Sequence, residues 1–260
     1  MFAQDTVSVV IPALNEEKAI GKVVASLLSQ ANSDGERLID ELIVCDNGSS
    51  DNTATVAQAH GARVVCQPQP GYGIACLTAI AALEHHGIVL FVDGDDSCLA
   101  SQAIDLLKPF SMHENGSSSV DMVIGSRELG RIEAGALTLS QRFGNRLATS
   151  LMGYFWGSTA TDLGPYRAIR YSALHSLQMQ DKRFGWTIEM QIKALQQHMN
   201  VAEVAVDSTR RIGTSKISGT LSGVIGAAKG ILGMIIKLRW QQFRKRKCCL
   251  PARTKLQSAS

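Results

Sequence analysis

The chain has 260 residues, of which 45% are hydrophobic and 19% are charged, so it has enough apolar material for one large α/β domain or two small ones and is not a disordered chain. The formal net charge of +3 is small, but every charged residue from Lys237 to Lys247 is basic, so this end of the chain is suited to an anionic partner. None of the six cysteines stands in a Cys-x-x-Cys pair or another zinc-site spacing, which excludes a zinc site of that kind, and residues 1–6 lack the pattern of a signal peptide, so we expect a cytoplasmic chain.

The first half of the chain alternates short apolar runs with segments of helical spacing. Apolar runs rich in β-branched residues predict strands at residues 7–11, 42–45, 63–66 and 88–92. The spacing of apolar residues predicts a helix that Asn15 would cap, and further helices at about 53–60 and 74–84. Strands that alternate with helices in this way indicate parallel βαβ units, in which ligand-binding loops follow the carboxyl ends of the strands.

The fourth apolar run ends abruptly in the acidic sequence Asp93-Gly94-Asp95-Asp96. Because side chains alternate along an extended chain, Asp93 and Asp95 should point to the same side, and Gly94 between them should leave room for something bulky. Two carboxylates that project together repel each other unless a cation joins them, and oxygen ligands suit Mg²⁺ or Mn²⁺. The sequence therefore predicts a metal-bridged diphosphate here. The alternative is a solvated turn, since these residue types also favour turns.

The second half of the chain is less regular. A polar segment at about 111–119 is a soft boundary, and strands are expected at 121–124 and 201–206. Helices are expected at about 138–154 and from Trp186 onward, with a turn-rich loop at 161–167 between them. The last segment of this half, from Arg210 to Lys216, is a basic, hydroxyl-bearing loop that would suit a phosphate.

The C-terminal segment is apolar and rich in glycine from 218 to 236, but Lys229 interrupts it, and no run reaches the roughly 18 apolar residues that a membrane span needs. Two interpretations stay open for this segment, an interfacial helix and a core helix followed by a solvated basic tail. Cys248 and Cys249 could be lipidated or could be incidental residues of that tail. In the interfacial helix one face would consist of Leu221, Val224, Ile225, Ala228, Ile231, Leu232 and Ile235, with Trp240 and Phe243 among the basic residues that follow.

Seven motifs in a fixed order connect these segments. They are Val9-Val10-Ile11-Pro12-Ala13-Leu14-Asn15-Glu16, Asp46-Asn47-Gly48-Ser49-Ser50-Asp51, Asp93-Gly94-Asp95, Gly125-Ser126-Arg127, Asp162-Leu163-Gly164-Pro165-Tyr166-Arg167-Ala168, Ile188-Glu189-Met190 and the segment from Arg210 to Lys216. Together they resemble the inverting family 2 glycosyltransferases of the GT-A fold, especially the polyprenyl-phosphate sugar synthases that include dolichyl-phosphate mannose and glucose synthases. The resemblance covers almost everything from Val7 to Lys216.

The resemblance implies an α/β fold of the GT-A type, with a Rossmann-like, mostly parallel central sheet flanked by helices and a C-terminal amphipathic helix. The catalytic domain would span residues 1–217, with a half that binds the nucleotide sugar and the metal at about 7–115 and an acceptor half at about 120–217. Residues 218–260 would form the amphipathic helix and the basic tail. No internal repeat is found in the sequence.

The resemblance also implies roles for individual residues. Asn47 stands where the family commonly has a second aspartate. In the donor site, the nucleotide sugar would contact Pro12, Ala13, Asn15, Glu16, Asp46, Asp93, Gly94, Arg127, Arg167, Arg210, Ser215 and Lys216. Asp93 and Asp95 would hold the metal, and the residues closest to the chemistry would be Asp162, Arg127 and Glu189.

The implied activity is a metal-dependent transfer of a hexose from UDP-glucose or GDP-mannose to polyprenyl or dolichyl phosphate, by an enzyme attached peripherally to the cytoplasmic face of the membrane. A phosphate acceptor is already an anion and needs no strong base, whereas a hydroxyl acceptor would need one, for which Asp162 or Glu189 is the candidate. Simpler roles are open for both, since Asp162 could cap a turn and Glu189 could form a surface helix pair with Lys193.

Two other functions stay open. The same donor could serve a soluble hydroxyl or phosphate acceptor, such as a small molecule or the end of a polysaccharide. A nucleotide-binding module without transfer activity is an alternative of another class. Nucleic acid is not expected as a partner, because acidic residues rather than aromatic and basic ones line the predicted cleft.

Overall fold

The computed structural model describes residues 5–32, 35–111, 120–213 and 221–248, and within the last range it describes the side chains of 226–244. A seven-stranded sheet in the order β3-β2-β1-β4-β6-β5-β7 forms its centre. The strands are β1 (Val7–Ala13), β2 (Glu41–Asp46), β3 (Arg63–Cys66), β4 (Ile88–Phe91), β5 (Met122–Ser126), β6 (Arg167–Arg170) and β7 (Val201–Ala205). The prediction of a mostly parallel sheet is confirmed, because β1 pairs in parallel with both β2 and β4, and β5 pairs in parallel with β7.

One strand runs against the others and was not predicted. Strand β6 lies between β4 and β5 and is antiparallel to both. The sequence predicts a loop at 161–167 and no element directly after it. The run Arg167-Ala168-Ile169-Arg170 is only four residues long and half charged, so its pairing comes from the two strands beside it and not from its own apolar pattern.

The described part of the chain contains eight α-helices, and six of them cover the two faces of the sheet. Their bounds are α1 (Ile20–Leu28), α2 (Thr53–Ala59), α3 (Tyr72–Ala81), α4 (Ala103–Ser111), α5 (Leu139–Trp156), α6 (Tyr171–Leu177), α7 (Trp186–Gln196) and α8 (Leu221–Cys248). Helix α5 starts where the sequence predicts because Thr138 and Gln141 form a capping box. Helices α4 and α6 were not predicted.

Asn15 does not cap α1, so that prediction was wrong. The helix begins at Ile20, and the backbone of Asn15 is in the left-handed region with φ of 52°, whereas a capping residue is extended. The side-chain oxygen of Asn15 accepts a hydrogen bond from the amide of Ser50 at 2.7 Å, and its own amide donates to the hydroxyl of Ser49 at 2.9 Å. Asn15 therefore ties the loop after β1 to the loop after β2.

The core forms on both faces of the sheet and continues into a third cluster. Helices α1, α2 and α4 pack on one face, and α3, α6 and α7 pack on the other. The third cluster lies among α5, α7 and α8, where Ile188 and Ile192 of α7 meet Met152 of α5 and Leu238 of α8. Helices α5 and α8 are therefore an additional layer over α7.

Part of the α8 face that the sequence suggests for an interfacial helix is packed in the core instead. Ile235 is buried, and Ile231 and Leu232 are half-buried against α5 and α7. The side chains at 221–225 lie outside the description, as do Ser215 and Lys216, the predicted boundary at 217 and the tail from 249 onward. Within the described residues, no helix is both long enough and apolar enough to cross a bilayer.

The topology brings several loops to one edge of the sheet. Strands β1, β2, β4, β5 and β7 all point toward this edge, so the segments that follow Ala13, Asp46, Phe91, Ser126 and Ala205 lie near one another. Because β6 runs in the opposite direction, it is the segment before Arg167 that lies there. Ligands of open α/β sheets bind at the carboxyl ends of the strands, so this edge is where a site is expected.

Candidate active site

The largest group of predicted site residues lines one cavity of about 490 Å³ at this edge. The loop after β1 supplies one wall, and the turn after β4 supplies the floor. The predicted residues in its lining are Pro12, Ala13, Glu16, Asp93, Gly94 and Asp95. The lining also includes five residues to which the sequence gives no individual role, Asn47, Tyr72, Arg183, Phe184 and Arg211.

Asp93 and Asp95 both face this cavity, as the sequence predicts. The hydroxyl of Tyr72 donates to Asp93 Oδ1 at 3.1 Å. Burial and the negative charge of Asp95 raise the pKa of Asp93 to about 7. Both effects disfavour the ionised form of Asp93, and a cation beside it would favour ionisation.

Gly94 has a different role from the one expected. A Cβ at this position would lie 3.3 Å from Ile11 Cγ2 and 3.3 Å from Ile20 Cδ1, which is tighter than ordinary van der Waals contact. The missing side chain therefore makes room for the core beneath the turn, and not for a ligand as the sequence analysis proposed. Gly94 still contributes to the lining of the cavity.

Arg211 is a basic group that contacts the turn after β4. Its Nη2 lies 3.0 Å from Asp95 Oδ2 and 3.2 Å from Glu16 Oε1. The backbone holds it there, because the amide of the next residue, Ile212, donates to the carbonyl of Asp95 at 2.8 Å. Arg211 thus connects the turn after β4 to the loop after β1.

The structure does not bring Arg210 to this cavity. The Nε of Arg210 donates to the carbonyl of Ala134 at 2.6 Å, and its guanidinium lies 3.7 Å from Glu133. The predicted partners of Arg210 in a phosphate-binding loop, Ser215 and Lys216, lie outside the described residues. No sequence signal separates two adjacent arginines, because which one faces the cavity depends on the backbone of the loop.

Asn47 shapes the wall of the cavity next to β2. Its Nδ2 donates to the carbonyls of Gln67 at 2.8 Å and Gln69 at 2.7 Å, and its Oδ1 accepts from the amide of Gly71 at 2.7 Å. An aspartate could not donate the first two hydrogen bonds. The neighbouring Asp46 lies outside the lining of the cavity and accepts from the amide of Ser49 at 3.4 Å.

A second cavity, of about 270 Å³, adjoins the first. Tyr72, Asp93 and Phe184 belong to the lining of both. The remaining walls come from α5, which contributes Ser140, Gln141, Gly144 and Asn145, from α8, which contributes Ala227, Ala228 and Ile231, and from Arg127, Leu163, Pro165 and Thr187. A molecule in the second cavity can therefore approach one in the first at Asp93.

Arg127 enters the second cavity and is held by Asp162. Arg127 Nε donates to Asp162 Oδ2 at 2.8 Å, Nη2 donates to Oδ1 at 2.7 Å, and the amide of Arg127 donates to Oδ2 at 2.9 Å. Asp162 is fully buried. Burial by itself raises the pKa of Asp162, but the hydrogen bonds and charge of Arg127 outweigh it and hold the pKa below its ordinary value. Asp162 is thus an ionised partner that orients Arg127.

Arg167 lies beneath the site, outside the lining of both cavities. Its buried guanidinium donates to the carbonyls of Leu163, Gly164 and Thr187. Burial lowers its pKa to about 10. In this arrangement Arg167 braces the loop that carries Asp162 and does not reach a ligand.

Glu189 is buried too, and lines neither cavity. Its ion pair with Lys193, expected on a surface, is formed at 2.8 Å but with both groups largely buried. Glu189 Oε2 also accepts from the amides of Gln180 at 3.1 Å and Asp181 at 2.7 Å. Glu189 therefore fixes the start of the segment 180–185, which carries Arg183 and Phe184 to the cavities.

The start of α3, where Gly71 and Gly73 flank Tyr72, holds the other side of this segment. A Cβ on Gly71 or Gly73 would lie 2.1 Å from the carbonyl oxygen of Lys182 or Asp181, so only glycine permits the contact. The amide of Gly73 donates to the carbonyl of Arg183 at 3.1 Å. Two glycines around a tyrosine were the available sequence signal for Tyr72, whereas nothing in the sequence pointed to Arg183 or Phe184.

The chain is similar in sequence to known glycosyltransferases. The model of the family described as glycosyl transferase family 2 matches residues 8–177. An uncharacterized glycosyltransferase of Mycobacterium tuberculosis is 36% identical over 229 residues, which are 86% of this chain and 95% of that protein. A dolichyl-phosphate hexose transferase of Haloferax volcanii is 31% identical over 244 residues, 92% of this chain and 97% of that protein.

The fold also matches a solved structure that contains ligands. Glucosyl-3-phosphoglycerate synthase from Mycobacterium tuberculosis, in complex with Mn²⁺, UDP-glucose and phosphoglyceric acid, superimposes with a TM-score of 0.72 and 25% sequence identity. The match covers 92% of this chain and 81% of that one. Another structure of the same synthase contains Mg²⁺ and UDP.

Proposed function

Because the chain belongs to glycosyl transferase family 2 and is a glycosyltransferase, we propose that it transfers a hexose from UDP-glucose to a polyprenyl or dolichyl phosphate in a reaction that depends on Mg²⁺ or Mn²⁺. The observation that carries this proposal is the junction of two cavities at Asp93. One is lined by carboxylates and Arg211, and the other is lined by Arg127, by polar residues of α5 and by an apolar face of α8. The donor occupies the first cavity and the acceptor the second. UDP-glucose is preferred to GDP-mannose because the solved relative contains it.

The donor cavity fits a divalent metal. Asp93 and Asp95 offer hard oxygen ligands on one cavity, and a cation there would offset the burial and the charge of Asp95 that raise the pKa of Asp93. In the described residues no cluster of three or more metal-binding side chains is found. Two carboxylates suffice for Mg²⁺, which commonly completes its coordination with substrate phosphates and water. When bound, the ion would neutralise charge that develops on the departing diphosphate.

Arg211 assists the departure of the diphosphate. Its guanidinium stands at the Asp93–Asp95 turn and is ordered by Glu16 and Asp95. A fixed cation there stabilises negative charge as it develops in the transition state, without reorganisation of the protein. We assign Arg211 the role that the sequence analysis gave to Arg210.

In the transfer step, an oxygen of the acceptor phosphate forms a bond to the anomeric carbon while the bond from that carbon to the diphosphate breaks, and UDP leaves with the electron pair. Arg127 orients the acceptor phosphate, and Asp162 keeps Arg127 in place. A phosphate acceptor is supported by the state of the two candidate bases, because Asp162 and Glu189 are buried and already engaged by cations and amides. An anionic acceptor needs neither of them to remove a proton.

The lipid part of the acceptor is supported by two observations. Ala227, Ala228 and Ile231 give the second cavity an apolar wall, and the Haloferax volcanii relative is a dolichyl-phosphate hexose transferase. An acceptor of this kind resides in a membrane, so the enzyme would act from the cytoplasmic face as a peripheral protein.

A soluble phosphorylated acceptor is the second candidate. The solved relative binds phosphoglyceric acid, and Ser140, Gln141 and Asn145 give the second cavity polar groups that could bind hydroxyl or carboxylate groups. In that case the donor reaction is unchanged and only the acceptor differs.

An acceptor screen with the purified chain tests the proposal. UDP-glucose and GDP-mannose are each offered with Mn²⁺ and with polyprenyl phosphate, the unphosphorylated polyprenol or 3-phosphoglycerate, and release of nucleoside diphosphate is measured. We expect release with UDP-glucose and polyprenyl phosphate, none with the polyprenol, and none after chelation of the metal. Release with 3-phosphoglycerate alone establishes the second candidate. Donor binding without release from any acceptor, or full activity of Asp95→Asn, contradicts the transfer mechanism.

A further inference from the structure

The outer side of α5 carries a row of exposed apolar residues. Leu139 is 83% exposed, Phe143 is 71% exposed, and Leu147 is exposed as well. Their spacing of one helical turn puts them on the same side of α5. Ala148 and Met152, which α5 buries against α7 and α8, belong to the opposite side. The exposed row is therefore additional to the face that α5 uses for packing.

Helix α8 carries a second row. Ile236, Trp240 and Phe243 are all more than half exposed and follow one another at helical spacing. Met234, Ile235 and Leu238 belong to the buried face of the same helix. Large apolar side chains exposed in contiguous patches are uncommon on a soluble protein surface and indicate an interaction site.

The two rows stand on neighbouring helices that run in the same direction. At their carboxyl ends, the guanidinium of Arg239 lies 5.5 Å from the centre of the Phe155 ring, and Trp156 Nε1 donates to Gln242 Oε1 at 3.0 Å. Toward their amino ends, the helices together line the second cavity. The cavity that holds the proposed acceptor therefore lies between the helices that carry the exposed rows.

The charge of these two helices has a single sign. Neither Leu139–Trp156 nor Leu221–Cys248 contains an aspartate or a glutamate. Arg142 and Arg146 alternate with the apolar row of α5 and are exposed. On α8, the exposed basic residues in the part whose side chains are described are Lys229, Lys237 and Arg244. The two helices combine apolar and basic side chains and contain no acidic residue, so they complement an anionic partner with an apolar interior.

We propose that this surface, formed by Leu139, Arg142, Phe143, Arg146 and Leu147 of α5 and Ile236, Trp240 and Phe243 of α8, docks on an anionic lipid bilayer. The apolar side chains enter the boundary between headgroups and acyl chains, and the basic ones contact lipid phosphates. The proposal rests on the proposed function in one respect, since docking places the second cavity beside the membrane that contains a lipid acceptor. From the interfacial helix predicted from the sequence, the surface keeps Trp240 and Phe243 and leaves out Ile235, which is buried.

Flotation of the full chain with vesicles tests the surface without any acceptor. Vesicles of phosphatidylcholine alone and with phosphatidylglycerol, both free of polyprenyl phosphate, are compared. We expect the wild type to bind the anionic vesicles. Leu139→Ser combined with Phe143→Ser should reduce this binding at least tenfold. Arg142→Gln combined with Arg146→Gln should reduce it by about fivefold for each arginine. Leu129→Ser and Lys108→Gln are the matched controls, because both residues are exposed and lie outside α5 and α8. These controls should bind as wild type does.

Three results would contradict the proposed docking surface. They are absence of binding to anionic vesicles, equal loss of binding in the control variants, and a wild-type dimer in solution that the Phe143 variant dissociates, which would identify a second copy as the occupant. Circular dichroism and the thermal midpoint verify that each variant is folded.

Activity on a water-soluble, short-chain prenyl phosphate separates this proposal from the proposed function. The Leu139 and Phe143 variant should keep wild-type activity on that substrate and lose activity only on acceptors in vesicles. If the protein binds vesicles but transfers only to phosphoglycerate, the docking surface is supported and the lipid acceptor is contradicted. If it uses the short-chain prenyl phosphate but does not bind vesicles, the lipid acceptor is supported and the docking surface is contradicted.

Discussion

At the scale of single residues, the site depends on which of two adjacent arginines faces the donor cavity. Arg211 contacts Glu16 and Asp95, whereas Arg210 contacts Glu133 and the carbonyl of Ala134. Both are cations next to carboxylates, but only the side chain of Arg211 lines the cavity. Arg211 can therefore stabilise a leaving group in the cavity and Arg210 cannot, because a charge acts strongly on a leaving group only within a short distance in a site that excludes water.

Arg211→Gln should therefore lower kcat/KM for UDP-glucose by about ten- to hundredfold, the loss expected for a charged hydrogen bond. Arg210→Gln is the matched control and should stay within about twofold of wild type, since its ion pair is exposed. Steady-state kinetics of UDP release measures both. Equal losses in the two variants would mean that the loop moves on donor binding and brings Arg210 into the cavity.

The Arg127–Asp162 pair makes a prediction about acid stability. The pKa of Asp162 is held below its ordinary value of 3.8, so the pair contributes stability that is fully present above that pH and is lost as the pH falls through the lower pKa of the folded state. Asp162→Asn leaves Arg127 without its counter-charge and should cost about 3 kcal/mol of unfolding free energy at pH 7.

Urea unfolding of wild type and Asp162→Asn between pH 7 and pH 2 tests this. The difference between the two proteins should shrink below about pH 4. Asp105→Asn removes an exposed partner of Lys108 and should change the unfolding free energy by less than about 1 kcal/mol at any pH. A difference between wild type and Asp162→Asn that stays constant down to pH 2 would show that ionisation of Asp162 is not the source of the stability.

At the scale of elements, the position of the segment 180–185 depends on contacts with two other parts of the fold. Glu189 accepts its first amides, and the start of α3, at Gly71 and Gly73, packs against its carbonyls. Phe184, carried by this segment, lines both cavities. The geometry at the junction of donor and acceptor therefore depends on a buried carboxylate that contacts neither.

Glu189→Gln tests this positioning role. The remaining side-chain oxygen can still accept from the amides of Gln180 and Asp181. The amide group in place of Oε1 loses the 3.2 Å hydrogen bond from Gln180 and the ion pair with Lys193, so the segment is held less firmly. We expect kcat/KM to fall about tenfold, chiefly through higher KM values, with an unchanged pH profile. A general base in this position would instead lower kcat by about 10²- to 10⁴-fold and remove a limb of the pH profile. Lys193→Met keeps the amide contacts and should have the smaller effect.

The elements differ in how well the sequence predicts them. Buried parallel strands such as β1 and β4 are recognisable because both faces are covered and the run is apolar throughout. Strand β6 is not recognisable, because Arg167 and Arg170 occupy half of it and its position depends on β4 and β5. The same holds for Arg183 and Phe184, whose place depends on contacts with the start of α3, more than a hundred residues away.

At the scale of the whole molecule, the parallel topology predicts correctly that the loops after β1, β2 and β4 meet at one edge. It also predicts that Asp93 and Asp95 share a cavity. It cannot predict which side chains turn inward, so Asp46, Arg167 and Glu189 lie outside the cavity linings while Asn47 and Arg211 lie within. The pattern of apolar runs along the chain is enough to predict the topology, whereas the direction of each side chain depends on how it packs in the folded structure.

The packing of α8 on the domain gives the last prediction. Ile235 is buried with Ile188 and Met152, while the next residue, Ile236, is exposed. If α8 is an integral part of the folded unit, Ile235→Ala should lower the unfolding free energy by about 2–5 kcal/mol in a single transition. Ile236→Ala deletes the same atoms from an exposed position and should stay within about 0.5 kcal/mol of wild type.

Ile235→Ala should also affect the two cavities differently. Because α8 forms a wall of the second cavity and not of the first, Ile235→Ala should raise KM for the acceptor and leave the affinity for UDP unchanged. Urea denaturation, isothermal titration with UDP and Mn²⁺, and acceptor kinetics measure the three quantities. A separate, early transition in Ile235→Ala, with the main transition at its wild-type position, would instead show that α8 unfolds independently and that donor binding and the rest of the domain do not depend on it.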